Sequence, residues 1–81
     1  MELNRTPTLT GLEHAVLRLS ATGLLTDAVA NRLGMSTHEV RRHLVRAMAA
    51  LGARSKLEAV VLALELGLIT LPGAGARSRH G

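Results

Sequence analysis

The chain has no cysteine, which excludes disulfide staples and any thiolate-held metal. It has no Phe, Tyr or Trp either, so a core has to be filled by Leu, Val, Ala, Ile and Met. No apolar run approaches the roughly 20 residues needed to cross a bilayer. The N-terminus lacks the basic-then-apolar plan of a secretory signal. A cytoplasmic location without a membrane partner is the expectation. No glycine-rich phosphate loop of the GxxxxGK kind occurs. The histidines at 14, 38, 43 and 80 are not followed by a second metal ligand at i+3 or i+4. The carboxylates are scattered, with no pair that reads as an acid and a base. These absences argue against an enzyme, a metal site and a cofactor.

What is present is 81 residues, 47% of them apolar, enough for one domain with a modest core. The formal net charge is +4, and its placement says more than its size. Six basic residues (Arg32, Arg41, Arg42, Arg46, Arg54, Lys56) lie between positions 32 and 56 against one acid, Glu39. Charge concentrated in this way favours a polyanionic partner.

Apolar periodicity and capping signals divide the chain into four helices between two tails. Residues 1–8 read as a polar tail, 9–70 as one all-α domain, and 71–81 as a basic, disordered tail carrying Arg77, Arg79 and His80. Thr10-Gly11-Leu12-Glu13 is a capping box. Behind it Leu12, Val16 and Leu17 recur at helical spacing, and Gly23 is placed to end the helix. Thr26 is the expected N-cap of a second helix, with Asp27 at the positive end of its dipole and Gly34 closing it. Ser36-Thr37-His38-Glu39 forms a second capping box and Ser55-Lys56-Leu57-Glu58 a third.

The spacing of Ala30, Gly34 and Val40 is that of a helix-turn-helix. A small residue lets two helices approach, a glycine takes the positive φ of the turn, and a β-branched residue anchors the second helix. In that second helix, about residues 37–51, Val40, Leu44, Ala47 and Leu51 form one apolar stripe. Arg42 and Ala49 point the other way, with His38, Arg41, Val45 and Arg46 around them. A basic face interleaved with small and apolar side chains suits a DNA major groove.

The fourth helix carries two apolar stripes. Leu57, Val60, Val61, Leu64 and Leu68 form one, which is expected to face the core. Ala59, Leu62, Ala63 and Leu66 form the other, and they are the expected contact of a twofold homodimer, because a surface helix of a small monomer needs only one buried stripe.

The landmarks Leu9-Thr10 with Glu13, Val16-Leu17, Gly23-Leu24, Val29-Ala30, Leu33-Gly34-Met35-Ser36, Val40-Arg41, His43-Leu44, Leu51-Gly52, Glu58-Ala59-Val60 and Gly67-Leu68 follow one another without gaps. Over Leu9 to Ile69 the chain resembles the LuxR/GerE-type helix-turn-helix domain of bacterial transcription regulators. That resemblance implies a four-helix fold whose third helix enters the major groove of double-stranded DNA and whose fourth forms a dimer contact. Carried over residue by residue, it makes Arg41, Arg42 and Val45 groove-facing and puts His43 near the DNA backbone. His38 and Arg46 are expected at the edge of the base-reading footprint, and Thr26, His43, Arg54 and Lys56 on phosphates. The implied function is sequence-specific DNA binding by a homodimeric regulator, for which RNA polymerase is a candidate further partner. The chain departs from the family where Leu12 replaces a usual Arg, Ala28 a Glu, Glu39 a Thr, Ala50 a Lys and Lys56 an Arg. These departures motivate the alternative, a protein–protein interaction module that kept the fold and lost DNA.

Overall fold

The computed structural model describes residues 7–71, which form α1 (Gly11–Ala21), α2 (Thr26–Leu33), α3 (Thr37–Leu51) and α4 (Lys56–Glu65). No strand occurs among them. The fold is all-α, as expected. The tail expected at 71–81 lies outside the described residues from position 72 onward, as does the first tail up to position 6.

Two reciprocal capping boxes start α1 and α3. The Thr10 hydroxyl accepts from the Glu13 N–H at 3.1 Å while the Thr10 N–H donates to Glu13 Oε1 at 3.0 Å. Ser36 and Glu39 repeat the exchange at 3.0 and 2.9 Å. Each box satisfies backbone donors that the first turn cannot pair internally. Glu13 is only 6% exposed, a position a carboxylate tolerates because it accepts a hydrogen bond at the positive end of a helix.

The third box is offset. Ser55 accepts from the Glu58 N–H at 3.0 Å, but the Glu58 carboxylate reaches past Ser55 to the Arg54 N–H at 2.6 Å. Thr26 is also corrected: α2 has Leu25 as its N-cap, without a side-chain bond, and Thr26 is the first helical residue. Asp27 accepts instead from the next N–H, that of Ala28, at 2.9 Å.

The core is two clusters joined by a shared pair of helices. Val16, Val29, Ala30 and Val40 unite α1, α2 and α3. Leu17, Ala47, Ala59, Val60, Ala63 and Ile69 unite α1, α3 and α4. Leu44 packs against both clusters. Helices α1 and α3 touch each other and both remaining helices, whereas α2 and α4 do not meet.

The orientation of α4 corrects the sequence expectation in part: Val60, Leu64 and Leu68 pack on the core as expected, but they share it with the other stripe. Ala59 and Ala63, assigned to a dimer surface, are 0% exposed and sit in the core. Their short side chains let α4 come close to α1 and α3, so the small side turns inward. Leu57 and Val61, expected in the core, are left 73% and 41% exposed. Leu62 is half-buried and Leu66 exposed. The helix is also shorter than its apolar pattern suggests. It ends at Glu65, the chain reverses at Gly67 with φ 74°, and the Leu68 N–H returns to the Ala63 carbonyl at 2.8 Å. Leu68 and Ile69 then fold back over the core. Leu12, a third expected core residue, is exposed.

Leu17 is wholly buried where the helices converge, so Leu17→Ala should destabilise the domain by about 2–5 kcal/mol. Leu12→Ala should cost about 0.5 kcal/mol or less. Urea unfolding followed by helix circular dichroism separates the two; equal losses would mean the α1 register is wrong.

Candidate nucleic-acid interface

The turn between α2 and α3 is built by backbone geometry. Gly34 adopts φ 69° and ψ 34°, a left-handed conformation in which a Cβ is strained. This lets the Met35 N–H donate to the Ala30 carbonyl at 2.9 Å and the Gly34 N–H to that of Asn31 at 3.3 Å. The pattern is a Schellman closure, which satisfies the last carbonyls of α2. Ser36 follows at once and caps α3, so the two helices are separated by Gly34, Met35 and Ser36 alone. Ala30 and Val40 are both buried in the cluster that locks α2 to α3. All three residues singled out by spacing therefore hold the positions that the helix-turn-helix requires.

With Val40 and Ala47 buried and Leu44 and Leu51 half-buried, the opposite side of α3 has to face outward. His38, Arg41, Arg42, Val45 and Arg46 are exposed there and together line one open concavity of about 440 Å³. They are the five residues expected to meet bases. Three guanidiniums, an imidazole and a valine make a surface of hydrogen-bond donors around an apolar patch, able to hold an anionic partner that also presents acceptors and methyl groups.

The four residues expected on phosphates do not line this concavity. Thr26 is half-buried at the start of α2, and Lys56 half-buried at the start of α4. Arg54 is exposed in the turn before α4. His43 is half-buried on α3, and its Nδ1 is enclosed without a hydrogen-bond partner among the described residues. Asn31 and Arg32, which sequence reading did not single out as a pair, are exposed on the last turn of α2 and line a second open concavity with Ala28. Their adjacency just before the turn glycine was the available signal. Among the described residues no group of His, Asp and Glu is placed to hold a metal ion.

Glu39 is the one acid beside this basic face. The Ser36 backbone N–H and hydroxyl hold its carboxyl below the usual carboxylate range, with smaller help from the Arg42 and His43 charges. Its folded pKa is depressed, so the stability it contributes is fully present above the unfolded value of about 4.3 and is lost as pH falls through the folded value. Glu39→Gln keeps a capping acceptor and removes the charge. Its stability should fall less than that of the native chain when thermal unfolding is followed from pH 6 to pH 3, and parallel pH profiles would refute a charged role for the cap.

Residues 7–63 match the family described as "Bacterial regulatory proteins, luxR family". Over 63 residues the chain is 40% identical to "Transcriptional regulatory protein YdfI" of Bacillus subtilis (strain 168), an alignment that takes in 78% of this chain and 30% of that protein. The chain thus spans about a third of the length of this curated relative. It is also similar to a solved structure described as "Structure of Transcription factor, GerE", with a TM-score of 0.73 and 27% identity over 76% of this chain and 92% of that one. The four helices, the Gly34 turn and the family match agree with one another. The chain belongs to the luxR family of bacterial regulatory proteins, as a GerE-type helix-turn-helix domain.

Proposed function

We propose that this domain binds double-stranded DNA sequence-specifically, with α3 lying in the major groove, and that it does so as a homodimer. The observation that carries the first part is the outward face of α3. His38, Arg41, Arg42, Val45 and Arg46 share it, on a helix positioned by a turn that leaves no other side to present. A major groove about 12 Å wide admits one helix. Phosphates on either side would meet the Thr26 end of α2, where Leu25 supplies no side-chain cap and Asp27 engages only the Ala28 N–H, and Arg54, Lys56 and His43. With Nδ1 of His43 turned inward, Nε2 is the nitrogen left to donate.

The homodimer contact belongs on the outer side of α4, where Leu57 and Val61 are exposed. Pairing of this side with its copy removes apolar surface from water and would set two α3 helices against two half-sites. Ala59 and Ala63, already covered within the monomer, take no part.

Selection of duplexes from a random pool should enrich a twofold-symmetric site, bound at submicromolar Kd at moderate salt. Log affinity should fall linearly with log salt concentration. Arg54→Ala should weaken all duplexes alike and lower the salt slope by about 1. If no duplex is enriched and no salt-dependent binding appears, the domain is a protein-interaction module. Sedimentation should give a dimer for the native chain. Val61→Glu should give a folded monomer, whose melting temperature no longer depends on protein concentration, with weakened binding to the two-half-site duplex; a Val61→Glu protein that remains dimeric would move the contact off α4.

A further inference from the structure

The chemistry of the α3 face specifies which bases it accepts, given that the face reads DNA as proposed above. At about 100° per residue, His38, Val45 and Arg42 share the centre of the face, and Arg41 and Arg46 stand on its two shoulders. Arg42 and Val45 are the central pair that differ most in chemistry. One offers a fork of donors and no acceptor. The other offers only methyl groups and is 62% exposed, although a β-branched apolar residue gains nothing for an isolated helix at a solvated position.

In the major groove guanine shows two adjacent acceptors, N7 and O6, whereas adenine shows one acceptor beside a donor, and cytosine a donor. A guanidinium meets guanine with both arms of its fork. At adenine it would set donor against donor, leaving a polar group unpaired. The face holds no Asn or Gln to read adenine. The nearest carboxylate, Glu39, lies outside the central arc and has Oε1 engaged by the Ser36 N–H at 2.9 Å, so it is not poised for the cytosine amino group. The one apolar feature that a base edge presents in this groove is the thymine 5-methyl, which matches Val45. Arg42 and Val45 are three residues apart, about 4.5 Å along the helix axis, against about 3.4 Å between successive base pairs.

We propose that the centre of each half-site is a guanine and a thymine on neighbouring base pairs, the guanine read by Arg42 through N7 and O6 and the thymine methyl received by Val45. Arg41 and Arg46, on the shoulders, hold the flanking backbone or a further guanine edge. Val45 thereby becomes a specificity residue whose target is a single methyl group.

The test uses the whole chain and the selected duplexes. Each enriched thymine is replaced in turn by deoxyuridine, which removes the methyl and leaves every hydrogen bond. One position per half-site should weaken native binding about three- to fivefold, and Val45→Ala should be indifferent to that replacement. At the adjacent pair, exchanging G·C for A·T should weaken native binding by about tenfold or more. Arg42→Lys keeps the charge without the fork, so it should lose most of that preference with its salt slope unchanged. Val45 and Arg42 are exposed, and circular dichroism melting checks that both variants stay folded. Tight, salt-dependent binding that ignores the methyl at every position, or a Val45→Ala protein as sensitive to deoxyuridine as the native one, overturns this base assignment and leaves DNA binding standing. Absence of salt-dependent binding to any duplex overturns both.

Discussion

The pairing of α1 with α3 is the contact on which every other part of the domain depends. Val16 and Leu17, adjacent in sequence, point about 100° apart on α1 and enter different clusters, Val16 that of α2 and Leu17 that of α4. Helix α3 mirrors the division with Val40 and Ala47, and Leu44 sits between them against both clusters. A chain with no aromatic side chain cannot fill one wide core. Two narrow ones, built from Val, Leu and Ala, are what its residue volumes allow at native packing density. The alanines at 47, 59 and 63 draw α4 close in one cluster, and Ala30 lets α2 approach in the other.

That same division fixes what α3 can show. Its stripe from Val40 to Leu51 is used along the whole length of the helix, so the guanidiniums of Arg41, Arg42 and Arg46 have only the outside to occupy. Gly34 and the Ser36–Glu39 box determine where the helix begins, and hence which side chains stand on its first outward turns. On the proposed reading, recognition chemistry is a by-product of packing: the buried stripe orients the face, and the residues between its members would carry the specificity. Glu39 belongs to both roles. It secures the start of α3 while placing a carboxylate, kept ionised by its hydrogen bonds to Ser36, beside a surface suited to an anion.

The number of helices, two of the three capping boxes, the Ala30–Gly34–Val40 turn and the two sides of α3 were all legible in the sequence, because each is written in short-range spacing. The candidate reading face was legible for the same reason: on an amphipathic helix, whatever is not on the apolar stripe faces out. Helix α4 was not legible. Both its sides are apolar, and periodicity says only that two stripes exist. Which members of each turn inward depends on how closely α1 and α3 permit approach, a property of the partners' surfaces that admitted Ala59 and Ala63 beside Val60 and left out Leu57 and Val61. The offset of Glu58 onto the Arg54 N–H and the shift of the α2 cap to Leu25 are one-residue differences set by backbone direction, to which residue preferences are nearly blind.

The separation of α2 from α4 has a consequence for how the domain comes apart. Since the two helices share no contact, they communicate only through α1 and α3, above all through Leu44, which packs against both clusters. Helix α2 is eight residues long, starts without a side-chain cap and is retained by the smaller cluster. Its loss alone would expose Val16, Val40 and one side of Leu44, while Leu17, Ala47, Ala59 and Ala63 belong to the other cluster. The helix that leads into the Gly34 turn is thus secured by Val29 and Ala30 alone among its own buried side chains, apart from the larger cluster.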